Sequence, residues 1–216
     1  MSAPIRLIAM DMDGTLLAPH QPGQPASITV ECQRALKEAH AEGIHLCLSS
    51  GRMPNDAGFF AVDLGLPMHI LSLNGGCIQL NPLGKIEESF PLSASDASQL
   101  WKIADRYAVD LGLFGAHHLI LNREPVTDEL WKWGTWLDRE GAGITVTGSA
   151  GQVEALCQTG VYKLVVCVRE DLTVLPVLRK EIEAALPHLE ITSSWIGNLE
   201  INPHGVHKGL ALRKLA

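Results

Sequence analysis

Two carboxylates two residues apart, Asp11 and Asp13, stand at the end of an apolar run, Leu7-Ile8-Ala9-Met10, and Gly14 follows at once. Side chains alternate faces along a strand, so residues two apart project the same way. A buried strand over Leu7–Met10 therefore delivers both acids together at its carboxyl end, where open α/β sheets place their ligand crevice. Two like charges held so close need a counter-cation or a shared proton. Hard oxygen ligands of this kind suit Mg2+.

The elements that must position these acids follow from the pattern downstream. Ser27 or Thr29 can cap a helix that runs to about Glu42, with Cys32, Ala35, Leu36 and Ala39 on one face and Gly43 as its stop. Ile44–Leu48 is a second apolar strand and ends in Ser49-Ser50-Gly51-Arg52. Strand, helix, strand at this spacing is a βαβ unit with parallel strands, which makes Ser50 a spatial neighbour of Asp11. Met53–Leu64 reads as a helix with Pro54 in its first turn. Met68–Leu73 is a third strand, ending in Asn74-Gly75-Gly76, and Cys77–Leu80 pairs with Lys85–Phe90 around the turn Asn81-Pro82-Leu83-Gly84.

Beyond that hairpin the grammar changes. The pattern predicts a helix at Ser93–Ala108, strands at Asp110–Phe114 and His118–Asn122, and a helix at Asp128–Glu140 capped by Thr127. A strand at Tyr162–Val168, a helix at Leu172–Leu186 and short strands at Glu190–Ser194 and Leu199–Ile201 follow. Short strands mixed with helices indicate a second, α+β unit inserted after the third strand. The expected division is 1–82 for the first part of an α/β core, 83–190 for the insertion and 191–216 for the return to the core. Val206-His207-Lys208-Gly209-Leu210 opens the last helix.

Composition narrows the partners. The net charge of −7 over 216 residues carries no electrostatic footprint for nucleic acid. No apolar run approaches the roughly 18–20 residues a membrane helix needs, and the first apolar stretch leads into carboxylates, as a first strand does and a signal peptide does not. The five cysteines, Cys32, Cys47, Cys77, Cys157 and Cys167, form no C-x-x-C pair and sit in apolar settings. They read as reduced thiols of a cytoplasmic protein.

Taken together, Asp11-Met12-Asp13-Gly14-Thr15-Leu16-Leu17 resembles the DxDGTLL motif of the haloacid dehalogenase-like phosphohydrolases. Leu48-Ser49-Ser50-Gly51-Arg52 resembles that superfamily's second motif. Asn74-Gly75-Gly76 is similar to the NGA signature of its Cof-type branch, sugar-phosphate phosphatases with a large inserted cap. Leu199-Glu200-Ile201 with Gly205-Val206-His207-Lys208-Gly209 looks like the branch's LEI…GVxKG segment.

The resemblance implies a Rossmann-like parallel-sheet core with an α+β cap, and Mg2+-dependent hydrolysis of phosphate monoesters of small metabolites. Asp11 is then the nucleophile and Asp13 the general acid and base. Mg2+ is held by Asp11 and the backbone carbonyl of Asp13. Ser50 and Gly51 hold phosphate oxygens, Lys208 supplies positive charge beside Asp11, and Asn74 and Arg52 are left to phosphate, leaving group or substrate.

Each residue also has a plainer reading: Ser50 as a helix cap, Asn74-Gly75 as a common turn, Lys208 as a surface lysine, Glu200 as a structural acid within an apolar strand. His117-His118 and His204 with His207 lack a third ligand. Trp131, Trp133 and Trp136 read as interior or interface of the inserted unit. Two further functions stay open, phosphomutase-type transfer and a silent phosphate-binding or assembly role.

The pattern departs from the family at its end, where a fourth, GDGxND-like motif with metal-binding acids is expected and no Asp or Glu follows Glu200. The parallel sheet is then incomplete at its C-terminal end, and the exposed edge predicts homo-oligomers. The expected outcome, where no missing acid is supplied, is low or absent turnover by the 216-residue chain beside a version extended through such a segment; equal rates in a phosphatase assay would contradict it.

Overall fold

The computed structural model describes residues 4–17, 27–107, 109–123, 143–145, 148–168 and 170–216. The loop at 20–26 and the helix expected at Asp128–Glu140, with Thr127, Trp131, Trp133 and Trp136, lie outside the described residues. Two compact units emerge. One comprises the chain up to Ser89 together with His207–Ala216; the other is Phe90–Val206.

The first unit is built on a sheet with strands in sequence order, β1 (Leu7–Met10), β2 (His45–Ser49), β3 (His69–Ser72), β4 (Cys77–Gln79) and β5 (Glu88–Ser89). β1, β2 and β3 are parallel and β4 and β5 are added antiparallel, so the α/β core and the hairpin stand as predicted. Helix α1 (Val30–Ala41) joins β1 to β2, and Thr29 caps it by accepting a hydrogen bond from the Cys32 N–H. Helix α2 (Pro54–Leu64) joins β2 to β3, starting on Pro54 and ending on Gly65 in the left-handed conformation, as the residue types favour. It buries Ala57, Phe60, Ala61 and Leu64.

Two expectations need correction. β1 is not fully buried: Leu7, Ile8 and Met10 are half-buried and Ala9 is exposed. Among the described residues its only ladder is with β2, so it is an edge strand. On α1 only Leu36 is buried, and Ala35 is exposed.

The second unit holds a six-stranded sheet in the order β10-β11-β9-β6-β7-β8. Its strands are β6 (Asp110–Phe114), β7 (His118–Leu121), β8 (Gly143–Thr145), β9 (Lys163–Cys167), β10 (Leu189–Thr192) and β11 (Asn198–Pro203). All pairings are antiparallel except β7 with β8. Helices α3 (Ala94–Ala104), α4 (Ala150–Thr159) and α5 (Val174–Ala185) contribute Leu100, Trp101, Val153, Leu178 and Ile182 to a core with Leu111, Leu164 and Val166.

Helix α4 was not anticipated. Its signal is Ser149-Ala150-Gly151-Gln152, a reciprocal capping box, followed by Val153, Leu156 and Cys157 at helical spacing. The expected boundaries also move. The insertion begins at Phe90 instead of 83, and the chain returns at His207 instead of 191, because β10 and β11 pair into the second sheet.

The five cysteines are unbridged; four are buried and Cys32 is half-buried. Burial pushes the Cys47 thiol up to about 12, against a smaller lowering by its backbone hydrogen bond to Leu71. Thiols so placed are unreactive.

Helix α6 (Lys208–Leu215) closes the first unit against β3, β4 and the turn Leu73–Gly75. The fit is tightest at Gly75, whose φ is +97°, and a Cβ built there would lie 2.6 Å from the His207 carbonyl oxygen. Only glycine meets both demands. Gly75→Ala is expected to destabilise the protein by more than about 1 kcal/mol, measured by urea unfolding; an unchanged midpoint would refute this packing.

Candidate active site

The two acids reach the end of β1 through a tightly wound segment. The Thr15 and Leu17 N–H groups donate to the Met12 carbonyl at 3.2 and 2.8 Å, and Leu16 N–H donates to the Asp11 carbonyl at 3.2 Å. Gly14 takes φ +74° within this turn. Met12 is fully buried between the two partly exposed acids, so its side chain anchors the segment and leaves Asp11 and Asp13 on the outer side.

The ends of β2 and β3 are stitched together. Ser50 N–H donates to the Leu71 carbonyl at 2.8 Å, Asn74 N–H to the Ser50 carbonyl at 3.0 Å, and Leu73 N–H to the Arg52 carbonyl at 2.8 Å. Ser50 is 1% exposed, and its Oγ accepts from the Arg52 N–H at 3.2 Å, a turn contact ahead of α2; it does not cap that helix, whose N-cap is Met53 with no side-chain cap hydrogen bond. Leu73 and Asn74 both lie in the left-handed region, at φ 51° and 60°. Two successive non-glycine residues there store strain of about 1–3 kcal/mol each, which the surrounding packing must sustain.

Lys208 is the first residue of α6, whose cap is His207, its Nδ1 accepting from the Leu210 N–H at 3.2 Å. A lysine opposes the helix dipole at this end. Its Nζ instead donates to Asp11 Oδ1 at 2.6 Å, across 197 residues of sequence. Arg52 takes the other acid. Its Nε donates to Asp13 Oδ2 at 2.9 Å and its Nη2 to Asp13 Oδ1 at 2.7 Å.

Sequence reasoning missed what lies behind that arginine. Arg52 Nη1 donates to both oxygens of Asp56 at 3.0 Å, and the guanidinium carbon lies 5.3 Å from the centre of the Phe60 ring. The signal was available as an i, i+4 Arg–Asp pair with an aromatic one turn further on. Burial pushes the Asp56 carboxyl above the usual carboxylate range, while the Arg52 charge and hydrogen bonds oppose it. Burial draws the Arg52 guanidinium down, but Asp13 and Asp56 outweigh it and hold it above its ordinary value.

Among the described residues no group of three or more His, Cys, Asp and Glu is assembled for a metal. The donors at the site are the Asp11 carboxylate and the backbone carbonyl of Asp13, both carboxylate oxygens of Asp13 being engaged by Arg52. Such a set fits Mg2+, which keeps several waters and shares its other positions with phosphate.

Other sequence candidates fall elsewhere. Glu200 lies on β11 in the second unit, 3.4 Å from Lys163 Nζ and accepting from Ser194 Oγ at 2.8 Å. His118 Nε2 is 2.9 Å from Thr145 Oγ1. No described helix is long and apolar enough to cross a membrane.

A family model for haloacid dehalogenase-like hydrolases matches residues 8–216. Relatives of known name match over nearly the whole chain. A 5-amino-6-(5-phospho-D-ribitylamino)uracil phosphatase of Bacillus subtilis is 26% identical over 98% of this chain and 70% of its own length. A pyridoxal phosphate phosphatase of Escherichia coli is 27% identical over 97% of this chain and 75% of its own. Among solved structures, a haloacid dehalogenase-like hydrolase from Bacteroides thetaiotaomicron superposes with a TM-score of 0.79 at 21% identity, covering 98% of this chain and 76% of that one. A subclass IIB sugar phosphatase gives 0.72 at 15% identity, covering 97% and 74%. With a match spanning almost every residue, the chain belongs to the haloacid dehalogenase-like hydrolases, a family in which these relatives are named phosphatases.

Proposed function

We propose that this protein hydrolyses phosphate monoesters of small metabolites, sugar phosphates foremost, through a phosphoryl group carried on Asp11. The observation that carries the reading is the 2.6 Å contact between Lys208 Nζ and Asp11 Oδ1. A lysine at a helix N-terminus, held beside a carboxylate, concentrates positive charge where an anionic ester must approach its anionic attacker. The named relatives, which act on a ribityl phosphate compound and on pyridoxal phosphate, set the substrate class as small and phosphorylated.

In this reading Lys208 holds Oδ1 of Asp11, and the second oxygen attacks phosphorus in line with the leaving oxygen. Asp13 donates a proton to that oxygen as the bond to phosphorus breaks. It then takes a proton from the water that cleaves the aspartyl-phosphate. The Ser50 hydroxyl hydrogen and the Gly51 N–H are proposed to donate to phosphate oxygens, the backbone N–H groups of Ser50, Arg52 and Asn74 being held by the Leu71 carbonyl, Ser50 Oγ and the Ser50 carbonyl; the Asn74 side chain meets the phosphate or the substrate, and Arg52 orients Asp13. Mg2+, when bound by the Asp11 carboxylate and the Asp13 carbonyl, would supply neutralisation of phosphate charge.

Mutant kinetics with Mg2+ present test the assignment. Asp11→Asn is expected to abolish turnover. Asp13→Asn is expected to lower kcat by about 10²–10⁴-fold, and Lys208→Ala by about 10²–10³-fold. Product analysis with an added sugar acceptor should show inorganic phosphate alone. Wild-type rates in Asp11→Asn, or transfer to the acceptor in place of release, would overturn the reading.

A further inference from the structure

We infer that Asp56 is a positioning residue: through Arg52 it fixes where the Asp13 carboxyl group meets the leaving oxygen. The inference rests on the reading of Asp13 as general acid. Asp13 alone is poorly held, because its side chain is 60% exposed and an exposed ion pair confines a side chain weakly. The fixed member of the pair is Arg52, 17% exposed.

Three contacts immobilise that arginine. Its backbone is tied at both ends, the carbonyl accepting from Leu73 N–H and the N–H donating to Ser50 Oγ. One terminal nitrogen, Nη1, is gripped by both oxygens of Asp56, whose side chain is 12% exposed. The guanidinium carbon lies over the ring of Phe60, 5.3 Å from its centre, and Phe60 stands one turn beyond Asp56 on the same helix. A guanidinium is planar, with five N–H groups in fixed directions. The hold of both Asp56 oxygens on Nη1 constrains the plane, and the opposite edge, Nε and Nη2, is then aimed at Asp13 as a two-toothed fork.

Asp56, 12% exposed, is too covered to act on substrate, whereas Asp13, bonded to Arg52 through both oxygens as well, is 60% exposed. Burying a carboxylate beside a cation is seldom a net source of stability. A carboxylate at this point does, however, give α2 a means of orienting a group at the end of β1. In the step it serves, the bond from Asp11 oxygen to phosphorus forms, the bond from phosphorus to the leaving oxygen breaks, and the Asp13 proton passes to that oxygen. Esters with acidic leaving groups need no such proton, whereas alkyl esters do.

The test compares an alkyl phosphate with para-nitrophenyl phosphate in wild type, Asp56→Asn and Asp56→Glu. The rate compared is that of a single transfer of the phosphoryl group to Asp11, because hydrolysis of the aspartyl-phosphate, which Asp13 also serves, is common to both esters. Asp56→Asn should lower this rate on the alkyl ester by about 10-fold or more, a portion of the roughly 10²–10⁴-fold that a general acid contributes. The substrate concentration giving half-maximal rate should stay unchanged, and the nitrophenyl ester should be nearly unaffected. Asp13→Asn should show the same selectivity in this rate, the Asp13→Asn/Asp56→Asn double variant should be no worse than Asp13→Asn, and Asp56→Glu should recover part of the loss. Equal losses on both esters, or additive losses in the double variant, would overturn the inference.

Should the 216-residue chain hydrolyse neither ester, as the weak turnover expected of it allows, the positioning role is read from the Arg52 Nε–H signal in nitrogen-15 NMR spectra. Asp56→Asn must then shift or broaden that signal as Asp13→Asn does; an unchanged signal refutes the role.

Discussion

Negative charge at the end of β1 is the constraint around which the first unit is arranged. Asp11 and Asp13 emerge from a single turn on the outer side of buried Met12. Each is met by a cation from a different stretch of chain: Lys208 for Asp11, from beyond the inserted unit, and Arg52 for Asp13, from the end of the neighbouring parallel strand. The Lys208 contact depends on α6 docking against the Leu73–Gly75 turn, which in turn depends on a glycine where a side chain would strike the His207 carbonyl. Strain in the left-handed Leu73 and Asn74 is sustained at the same place. The close approach of α6 and the seating of its lysine are thus one packing problem.

The parts of the site legible in the sequence are those in which local pattern and chemistry coincide. Strand alternation predicted Asp11 and Asp13 on one side, an outcome the structure reaches through the turn after β1 with Met12 buried between them, and the βαβ grammar brought the ends of β2 and β3 into register with β1. Lys208 was legible through the resemblance of its segment to GVxKG, to which the locally unfavourable place of a lysine at a helix start adds a smaller sign of a nearby anion. Asp56 was passed over, since an acid in the first turn of a helix is already explained by the dipole, and that explanation masked its i, i+4 spacing from Arg52. In the structure its oxygens face Arg52.

Long-range pairing explains the other misses. β11 carries the Leu199-Glu200-Ile201 segment, which its motif associated with the core, yet its ladder with β9 and β10 places it in the second sheet. Glu200 there faces Lys163, 1% exposed and stacked 4.9 Å over the Phe114 ring, a buried polar centre within the second unit. Burying such a pair is costly unless its remaining hydrogen-bonding capacity is met, and Ser194 and Asn198 contribute to meeting it. A single half-buried strand at a sheet edge, as β1 is among the described residues, is likewise invisible to an apolar run that reads as interior.

The central claim is that Asp11, with Lys208 seated on one of its oxygens, accepts the phosphoryl group. Acid quenching during turnover of a radiolabelled substrate, followed by peptide mapping of the trapped label, tests it most directly. The account predicts an acid-stable, hydroxylamine-sensitive label on the peptide containing Asp11, absent from Asp11→Asn. Steady release of phosphate with no label on that peptide, or with label on another residue, would contradict it.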